Sequence, residues 1–169
     1  MRLEIASTWD GQPIAREEVA SVSVARDATS LVVMVEAPYH GDPRPGAGPG
    51  RTDRLWDYEV VEVFLLGQQE RYLEIEMGPH GNYLVLLLAG RRQVERQALL
   101  MEYEARVNAL RWQGRARLPL AYLPDAAGRG NAYSVHGVGP RRRYLAAYPV
   151  PGREPDFHRL DCFGPFTLD

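Results

Sequence analysis

Short stretches in which apolar and polar residues alternate, separated by turn-forming residues, recur along the whole chain. A period of two is typical of β-strands, because successive side chains of a strand point to opposite faces. No stretch shows the longer period of an amphipathic helix, and no long internal repeat is visible. Strands are predicted at residues 22–24, 31–35, 58–66, 71–77, 83–88, 102–108, 111–120, 133–138 and 144–148, with 93–100 either a strand or a short helical turn.

About ten short strands of this kind favour a single all-β domain over residues 1–169, built as an antiparallel β-sandwich. With 169 residues the chain can bury a hydrophobic core without disulfides or metals. Residues 38–50 depart from the pattern, because they contain four prolines and four glycines. Proline lacks an amide donor and fixes φ, so this segment is predicted to be a surface loop, and a loop of this length is often functional.

The clearest strand in the pattern is predicted to begin at residue 55 and to run through residue 64. Alternation places Glu59 and Glu62 on opposite faces of it. In the next predicted strand Glu74 and Glu76 share a face, since they are two residues apart. If the two strands are hairpin neighbours, Glu62, Glu74 and Glu76 are expected to gather on one surface.

Three interpretations of this surface remain open. The first is a solvated outer face of the sheet. The second is a ligand site, because carboxylates that lie close together repel each other and need arginine, a cation, hydroxyl donors or a proton to offset this repulsion. Trp56 lies just before the alternating residues 58–66 of this strand. It is either a core or rim residue or a platform for the apolar face of a sugar ring. A third interpretation makes Glu62 and Glu76 the acid and base of a glycosidase.

Composition narrows the possible partners. A hydrophobic fraction of 45% and a charged fraction of 25% are typical of globular proteins. The net charge of −2 gives no reason to expect nucleic acid, and all 20 cationic residues are arginines scattered along the chain. No apolar run is long enough to span a membrane, and the first residues contain no apolar signal segment. A cytoplasmic location, with neither nucleic acid nor membrane as partner, is expected.

Cysteine and histidine usage predicts no metal site. Cys162 is the single cysteine, which excludes an intrachain disulfide and a cysteine-based zinc site, and the four histidines have no metal-ligand spacing. Asp156 precedes His158 and could orient it; the alternative is a C-terminal loop that closes over the sandwich. Arginine runs at 91–92 and 141–143 follow or precede predicted strands, where they either contact a ligand or are solvated.

Several stretches resemble an uncharacterised family that is found in bacteria and animals and includes a human open-reading-frame product. The stretches that carry the resemblance are 8–11, 55–64, 72–76, 78–81, 86–92, 148–151 and 155–158, so that it covers nearly the whole chain. More distantly, the pattern of Trp56, Asp57 and Glu62, with the hairpin at 74–81, is similar to the DOMON-like superfamily and to family 9 carbohydrate-binding modules.

This second resemblance implies a β-sandwich that binds a small sugar, polyol or glycan, with no established catalysis. Trp56 corresponds to one of two stacking tryptophans and Glu62 to their polar partner. In place of the second tryptophan the sequence offers Tyr144, Tyr148 or Phe157. The residues predicted to contact the ligand are Trp56, Glu62, Glu76, Arg92, Arg143, Tyr148, Phe157 and His158.

Two alternatives accompany this prediction. The first is a cytoplasmic enzyme that acts on a sugar-like metabolite and uses Glu62, Glu76 or His158 as acid or base. The second is haem binding, which some DOMON relatives show and which requires a pair of axial ligands. The candidates for these ligands are Met34, Met77, Met101, His80 and His136. Structural calcium occurs in some modules, but no acidic calcium loop is visible, so no cofactor is predicted.

Overall fold

The computed structural model describes residues 1–46 and 48–168. These residues form fourteen β-strands and five short 3₁₀ turns, and none of them lies in an α-helix. The strands are β1 (Arg2–Ile5), β2 (Ser7–Thr8), β3 (Ala20–Arg26), β4 (Ser30–Pro38), β5 (Gly50–Arg51), β6 (Val60–Leu66), β7 (Arg71–Met77), β8 (Asn82–Ala89), β9 (Val94–Arg96), β10 (Glu102–Asn108), β11 (Arg111–Pro119), β12 (Arg129–His136), β13 (Arg143–Ala146) and β14 (Gly164–Pro165). The 3₁₀ turns are Arg16–Glu18, Leu55–Asp57, Leu120–Tyr122, Gly139–Arg141 and Leu160–Cys162.

The strands form two sheets, which confirms the predicted antiparallel sandwich. The small sheet has the order β1-β3-β4-β11-β10, and the large sheet has the order β2-β13-β12-β6-β7-β8-β5. Strand β9 pairs with β8 and β14 pairs with β12, and of the pairings among the described strands only β5 with β8 is parallel. The strand number exceeds the predicted ten by four, because β1 has four residues and β2, β5 and β14 have two each, too few to show a clear alternation.

The main core lies between the two sheets. In β3 and β11 more and less buried positions alternate, because the opposite face of the small sheet is in contact with solvent. Trp112 is the largest side chain of this core and is 1% exposed. The large sheet contributes Val61, Val63 and Ile75, which are the positions that the alternation predicts for its inner face.

A second apolar layer covers the outer face of the large sheet. Every residue of β6 is buried, since both faces of this strand are covered. Phe64 and Tyr72 point into the second layer, where the Phe163 ring lies 5.8 Å from the Phe64 ring between centroids. Val150 belongs to the same layer. The residues after β13 therefore fold over the sheet, and the outer face is a second interior and not a solvated surface.

The predicted start of the central strand is wrong. Leu55–Asp57 is a 3₁₀ turn, and the strand begins at Val60. Arg54 has a φ of 57° in the left-handed region, and the amide of Tyr58 donates to the carbonyl of Leu55 at 2.9 Å. This turn buries Leu55 completely and leaves Trp56 42% exposed, at the edge of the outer face.

The proline-rich loop is anchored by a buried carboxylate. The amides of His40 and Asp42 donate to Glu59, at 3.0 and 3.3 Å. Residues 39–46 and 48–49 form neither strand nor helix, as predicted for this loop, and Ala47 lies outside the described residues. The segment that the pattern left open, 93–100, contains the short strand β9.

We expect the substitution Leu73→Ala to lower the free energy of unfolding by about 2–5 kcal/mol, because Leu73 is fully buried between the sheets and its truncation leaves a cavity. Urea denaturation measures this value. The matched control is Leu110→Ala, which removes a side chain that is 80% exposed and is expected to change stability by less than about 0.5 kcal/mol. Equal effects of the two substitutions would contradict the described packing.

Candidate functional site

A cavity opens on the outer face of the large sheet, between the strands and the C-terminal residues that cover them. Its volume of about 460 Å³ lies in the range of roughly 300–1,000 Å³ that is common for small-ligand sites. Its lining combines apolar, aromatic, acidic and basic side chains. They are Trp56, Asp57, Glu62, Glu74, Leu86, Leu88, Arg92, Val94, Val135, Arg142, Tyr144, Pro155, Phe157 and His158. We call this space the main cavity.

Three glutamates gather on the sheet face beneath the main cavity, as the alternation predicts. Glu62 and Glu76 are direct partners across the β6–β7 pair, and Glu74 is the partner of Phe64. The interpretation of this face as solvated is wrong, because Glu62, Glu74 and Glu76 are only 3%, 4% and 0% exposed. Glu62 and Glu74 line the main cavity, and Glu76 lies beneath its floor.

Burial raises the pKa of these carboxyl groups, so that they hold their protons up to a higher pH than in water. Desolvation, followed by the charge of Glu74, holds the pKa of Glu62 well above its usual range, and desolvation raises the pKa of Glu74 to about 7. Desolvation and the two neighbouring carboxyls also hold the pKa of Glu76 well above its usual range.

As carboxylates, Glu74 and Glu76 leave buried oxygens without a partner. Among the described residues, Oε2 of Glu74 and both oxygens of Glu76 accept no hydrogen bond. The two side chains are close enough to interact, so that one proton on either carboxyl supplies the missing donor for the other. Glu74, which lines the cavity, and Glu76 beneath it therefore form a proton-sharing pair that both donates and accepts hydrogen bonds.

A half-buried histidine, His158, forms part of the cavity wall. Nδ1 of His158 lies 2.8 Å from the Tyr72 hydroxyl, and that hydroxyl accepts a hydrogen bond from the Arg92 amide at 3.0 Å. We assign the hydroxyl as the donor to Nδ1, which is the acceptor within its reach, and this assignment places the proton of the neutral ring on Nε2. Desolvation, with the charges of Arg92 and Arg91, lowers the pKa of His158 to about 4, and the ring is neutral at pH 7.

Aromatic side chains line the main cavity as well. The Phe157 ring stacks on the Tyr133 ring at 3.8 Å between centroids with an angle of 6°, so that its position is fixed from behind. Tyr144 contacts Phe157 edge to face at 6.1 Å. Trp56 lines the same cavity from the 3₁₀ turn. Trp56, Tyr144 and Phe157 are the aromatic surfaces that a ligand ring can contact.

Arg142 attaches the Trp56 turn to the rest of the cavity. Its guanidinium donates to the carbonyls of Trp56 at 2.5 Å, Tyr58 at 3.2 Å and Gly137 at 2.9 Å. The sequence has three consecutive arginines here and does not indicate which of Arg142 and Arg143 lines the cavity. In the structure Arg142 lines it, whereas Arg143 forms an ion pair with Glu18 and does not.

The structure brings five of the eight predicted contact residues together. These are Trp56, Glu62, Arg92, Phe157 and His158. The other three do not line the main cavity: Glu76 is buried beneath it, Arg143 pairs with Glu18, and Tyr148 packs against the core between the sheets. Three lining residues, Glu74, Arg142 and Tyr144, are absent from the predicted contact residues, although Tyr144 was one of the aromatics offered in place of the second tryptophan and the position of Glu74 follows from alternation with Glu76.

The candidate metal and haem ligands of the sequence do not converge on the main cavity, over the residues that the structure describes. Within residues 1–46 and 48–168 no three His, Cys, Asp or Glu side chains are arranged to hold a metal ion. None of the five candidate haem ligands lines the main cavity: Met77 and Met101 pack in the core between the sheets, and Met34 is 55% exposed.

The structure contains no helix, over the residues it describes, with the length and hydropathy of a membrane span.

The chain is similar over its whole length to animal proteins. It is 41% identical over 178 residues to the mouse (Mus musculus) UPF0462 protein C4orf33 homolog, covering 100% of this chain and 92% of the mouse protein. It is 39% identical to the human (Homo sapiens) UPF0462 protein C4orf33, with 100% and 89% coverage. No protein-family model matches the chain.

Solved structures of carbohydrate-binding proteins have the same fold. A putative carbohydrate-binding protein from Bacteroides uniformis superposes with a TM-score of 0.73 at 15% identity, covering 100% of this chain and 85% of that protein. A family 9 carbohydrate-binding module from Caldicellulosiruptor kristjanssonii in complex with glucose gives a TM-score of 0.58 at 15% identity, with 89% and 76% coverage. The fold is therefore similar to that of family 9 modules, as the motifs around Trp56 and Glu62 imply.

The buried carboxyls make stability depend on pH. Because the pKa of Glu74 is about 7 in the folded protein against an ordinary 4.5, the stability that it contributes is present below pH 4.5 and is lost as the pH rises through 7. We expect Glu74→Gln to raise the free energy of unfolding at pH 8 by about 2–3 kcal/mol and to change it little at pH 4.

Urea denaturation of the wild type and the variant at both pH values measures this difference. Glu104→Gln, which neutralises an exposed carboxylate on the small sheet, is the control and is expected to change stability by less than about 0.5 kcal/mol. An effect of Glu74→Gln that is the same at pH 4 and pH 8 would show that the carboxyl does not titrate in this range.

Proposed function

We propose that this chain, which belongs to the UPF0462 family, binds a small sugar, polyol or glycan in the main cavity. The observation that carries this proposal is the combination of buried carboxyls and an exposed indole in one cavity. Glu62 and Glu74 line its floor, and Trp56 is 42% exposed at its rim. Large exposed aromatic side chains beside polar cavities are typical of ligand sites.

The floor fits a ligand with several hydroxyl groups. A sugar hydroxyl both donates and accepts hydrogen bonds, and Glu62 and Glu74, whose raised pKa values favour the protonated carboxyl, offer both functions in return. The guanidinium of Arg92, which lines the same cavity, adds further donors. A cation would compete with Arg92 and Arg142, which makes a neutral or anionic polyhydroxy compound the better match.

The walls fit the apolar part of the same ligand. A pyranose ring has a face of C–H groups, which packs on an aromatic ring, and Trp56, Tyr144 and Phe157 provide such rings. Leu86, Leu88 and Val135 complete the apolar lining. Arg142 holds the Trp56 turn through its carbonyl, so that little ordering of this wall is needed on binding.

The structural neighbours support a carbohydrate as the ligand class. Two structures with this fold show family 9 carbohydrate-binding modules from Caldicellulosiruptor kristjanssonii in complex with glucose and with cellotriose. At 15–16% identity the similarity concerns the fold, so the ligand class rests on the cavity of this chain together with those complexes.

A second candidate function is acid–base catalysis on a sugar-like metabolite, because Glu74 and His158 line the same cavity. With a pKa of about 7, Glu74 can give or take a proton near neutral pH, and the neutral ring of His158 carries a proton on Nε2. The predicted pair of Glu62 and Glu76 is less suitable, because Glu76 is fully buried beneath the cavity. Glu62 with Glu74 is the pair that faces a ligand.

We expect Trp56→Ala to weaken binding of glucose or cellotriose at least about tenfold, or about 1.4 kcal/mol, because it removes the exposed aromatic surface. Isothermal titration calorimetry measures the affinity. The matched control is Trp9→Ala, which removes the same side chain from a half-buried position outside the cavity and is expected to leave affinity unchanged. Wild-type protein that binds neither these sugars nor any member of a glycan array, or an intact affinity in Trp56→Ala, would contradict the proposal.

Turnover distinguishes the two candidate functions. If the protein is an enzyme, a screen of sugar phosphates and glycosides yields a substrate, and we expect Glu74→Gln to lower kcat at least about 100-fold while binding is retained. If it is a binding protein, the same variant affects affinity alone. The same control as above, Glu104→Gln, is expected to leave both quantities unchanged.

A further inference from the structure

A second recess adjoins the main cavity on the side of the C-terminal residues. It has a volume of about 590 Å³ and shares Arg92 and Pro155 with the main cavity. Its lining consists of Arg91, Arg92, Val150, Pro151, Gly152, Arg153, Glu154, Pro155, Asp156 and Arg159. We call it the arginine recess.

The side chains that line the arginine recess carry a net positive charge, whereas the whole chain carries a net negative charge. Four arginines and two acidic residues line it, although the chain as a whole has a net charge of −2. Such a local excess of positive charge attracts anions and raises their concentration at the surface. The positive charge reaches the main cavity, since Arg91 and Arg92 contribute to the lowered pKa of His158 there.

Asp156 arranges two of these arginines side by side. Its Oδ1 accepts from Arg92 at 3.0 Å, and its other oxygen pairs with Arg91. The side chain of Asp156 is 19% exposed, and its Oδ1 also accepts the His158 amide at 3.2 Å, which fixes the carboxylate. Because each guanidinium has five donors, Arg91 and Arg92 retain donors for a ligand, and they are 54% and 61% exposed.

The other two arginines extend the recess. Arg159 is held by Asp161 at 2.7 Å and by the carbonyl of Pro151 at 3.1 Å. Arg153 takes part in none of the ion pairs formed among the described residues. A forked guanidinium forms paired hydrogen bonds with the oxygens of a phosphate or a carboxylate, and these charge-assisted bonds are stronger than neutral ones.

We propose that the arginine recess binds the anionic group of the ligand, a phosphate or a carboxylate, whose sugar body occupies the main cavity. This inference rests on the proposed function, because it requires a carbohydrate in the adjoining space. Arg92 belongs to both spaces and is the point at which the sugar body and its anionic group meet. The ligand class is thereby narrowed to sugar phosphates and sugar acids.

Isothermal titration calorimetry with four probes tests this inference: glucose, glucose 6-phosphate, glucuronate and inorganic phosphate. We expect glucose 6-phosphate or glucuronate to bind at least about tenfold more tightly than glucose. The two anionic sugars distinguish a phosphate from a carboxylate. Inorganic phosphate alone is expected to bind more weakly than either, because it makes no contact in the main cavity.

The variant Arg153→Gln removes one charge of the recess without touching the main cavity or the ion pairs of Asp156. We expect it to reduce the preference for the anionic sugar by at least about threefold and to leave the affinity for glucose unchanged. The matched control, Arg115→Gln on the small sheet, is expected to change neither.

The outcomes separate this inference from the proposed function. Glucose that binds as tightly as both anionic sugars, or a preference that survives Arg153→Gln in full, overturns the inference and leaves the proposed function intact. Binding of inorganic phosphate as tight as that of glucose 6-phosphate shows an anion site that is independent of the sugar, and also overturns it. If neither glucose nor an anionic sugar binds, the inference fails, and if no member of the glycan array binds either, the proposed function fails with it.

Discussion

Burial of three carboxyl groups on one face of a β-sheet is the constraint on which the site depends. Glu62, Glu74 and Glu76 are nearly inaccessible, and the ionised form of each is disfavoured by desolvation, and that of Glu62 and Glu76 also by the neighbouring carboxyls. The fold meets this cost by sharing protons among the carboxyls and by leaving a cavity above two of them. The polyhydroxy ligand that we propose would supply further donors and acceptors at that place, which would link the energetics of the fold to ligand binding.

The second apolar layer makes this arrangement possible. Sandwich sheets usually have one face in solvent, but here the residues after β13 cover the outer face and supply Phe157 and His158 to the cavity wall. The hydrogen bond between Tyr72 and His158 ties this cover to the sheet, and Asp156 ties it to Arg91 and Arg92. The cover therefore forms the wall of the cavity and also the basic recess beside it.

Local periodicity predicted the sheet faces, and long-range contacts decided the rest. Glu62, Glu74 and Glu76 share one face because side chains alternate with a period of two and β6 and β7 form a hairpin, and both features can be predicted from the sequence. The 3₁₀ turn at Trp56 depends on Arg142, 86 residues later in the chain. The choice of Arg142 over Arg143, and of Tyr144 over Tyr148, likewise depends on contacts across the fold, which a single sequence does not show.

A crystal structure of the protein with a bound sugar tests the central claim most directly. We expect the sugar ring to pack on Trp56 and one of its hydroxyls to lie within about 3 Å of a carboxyl oxygen of Glu62 or Glu74. A sugar bound elsewhere on the surface, with the main cavity filled by water and no contact to either carboxyl, would contradict the claim that these buried groups form the binding site.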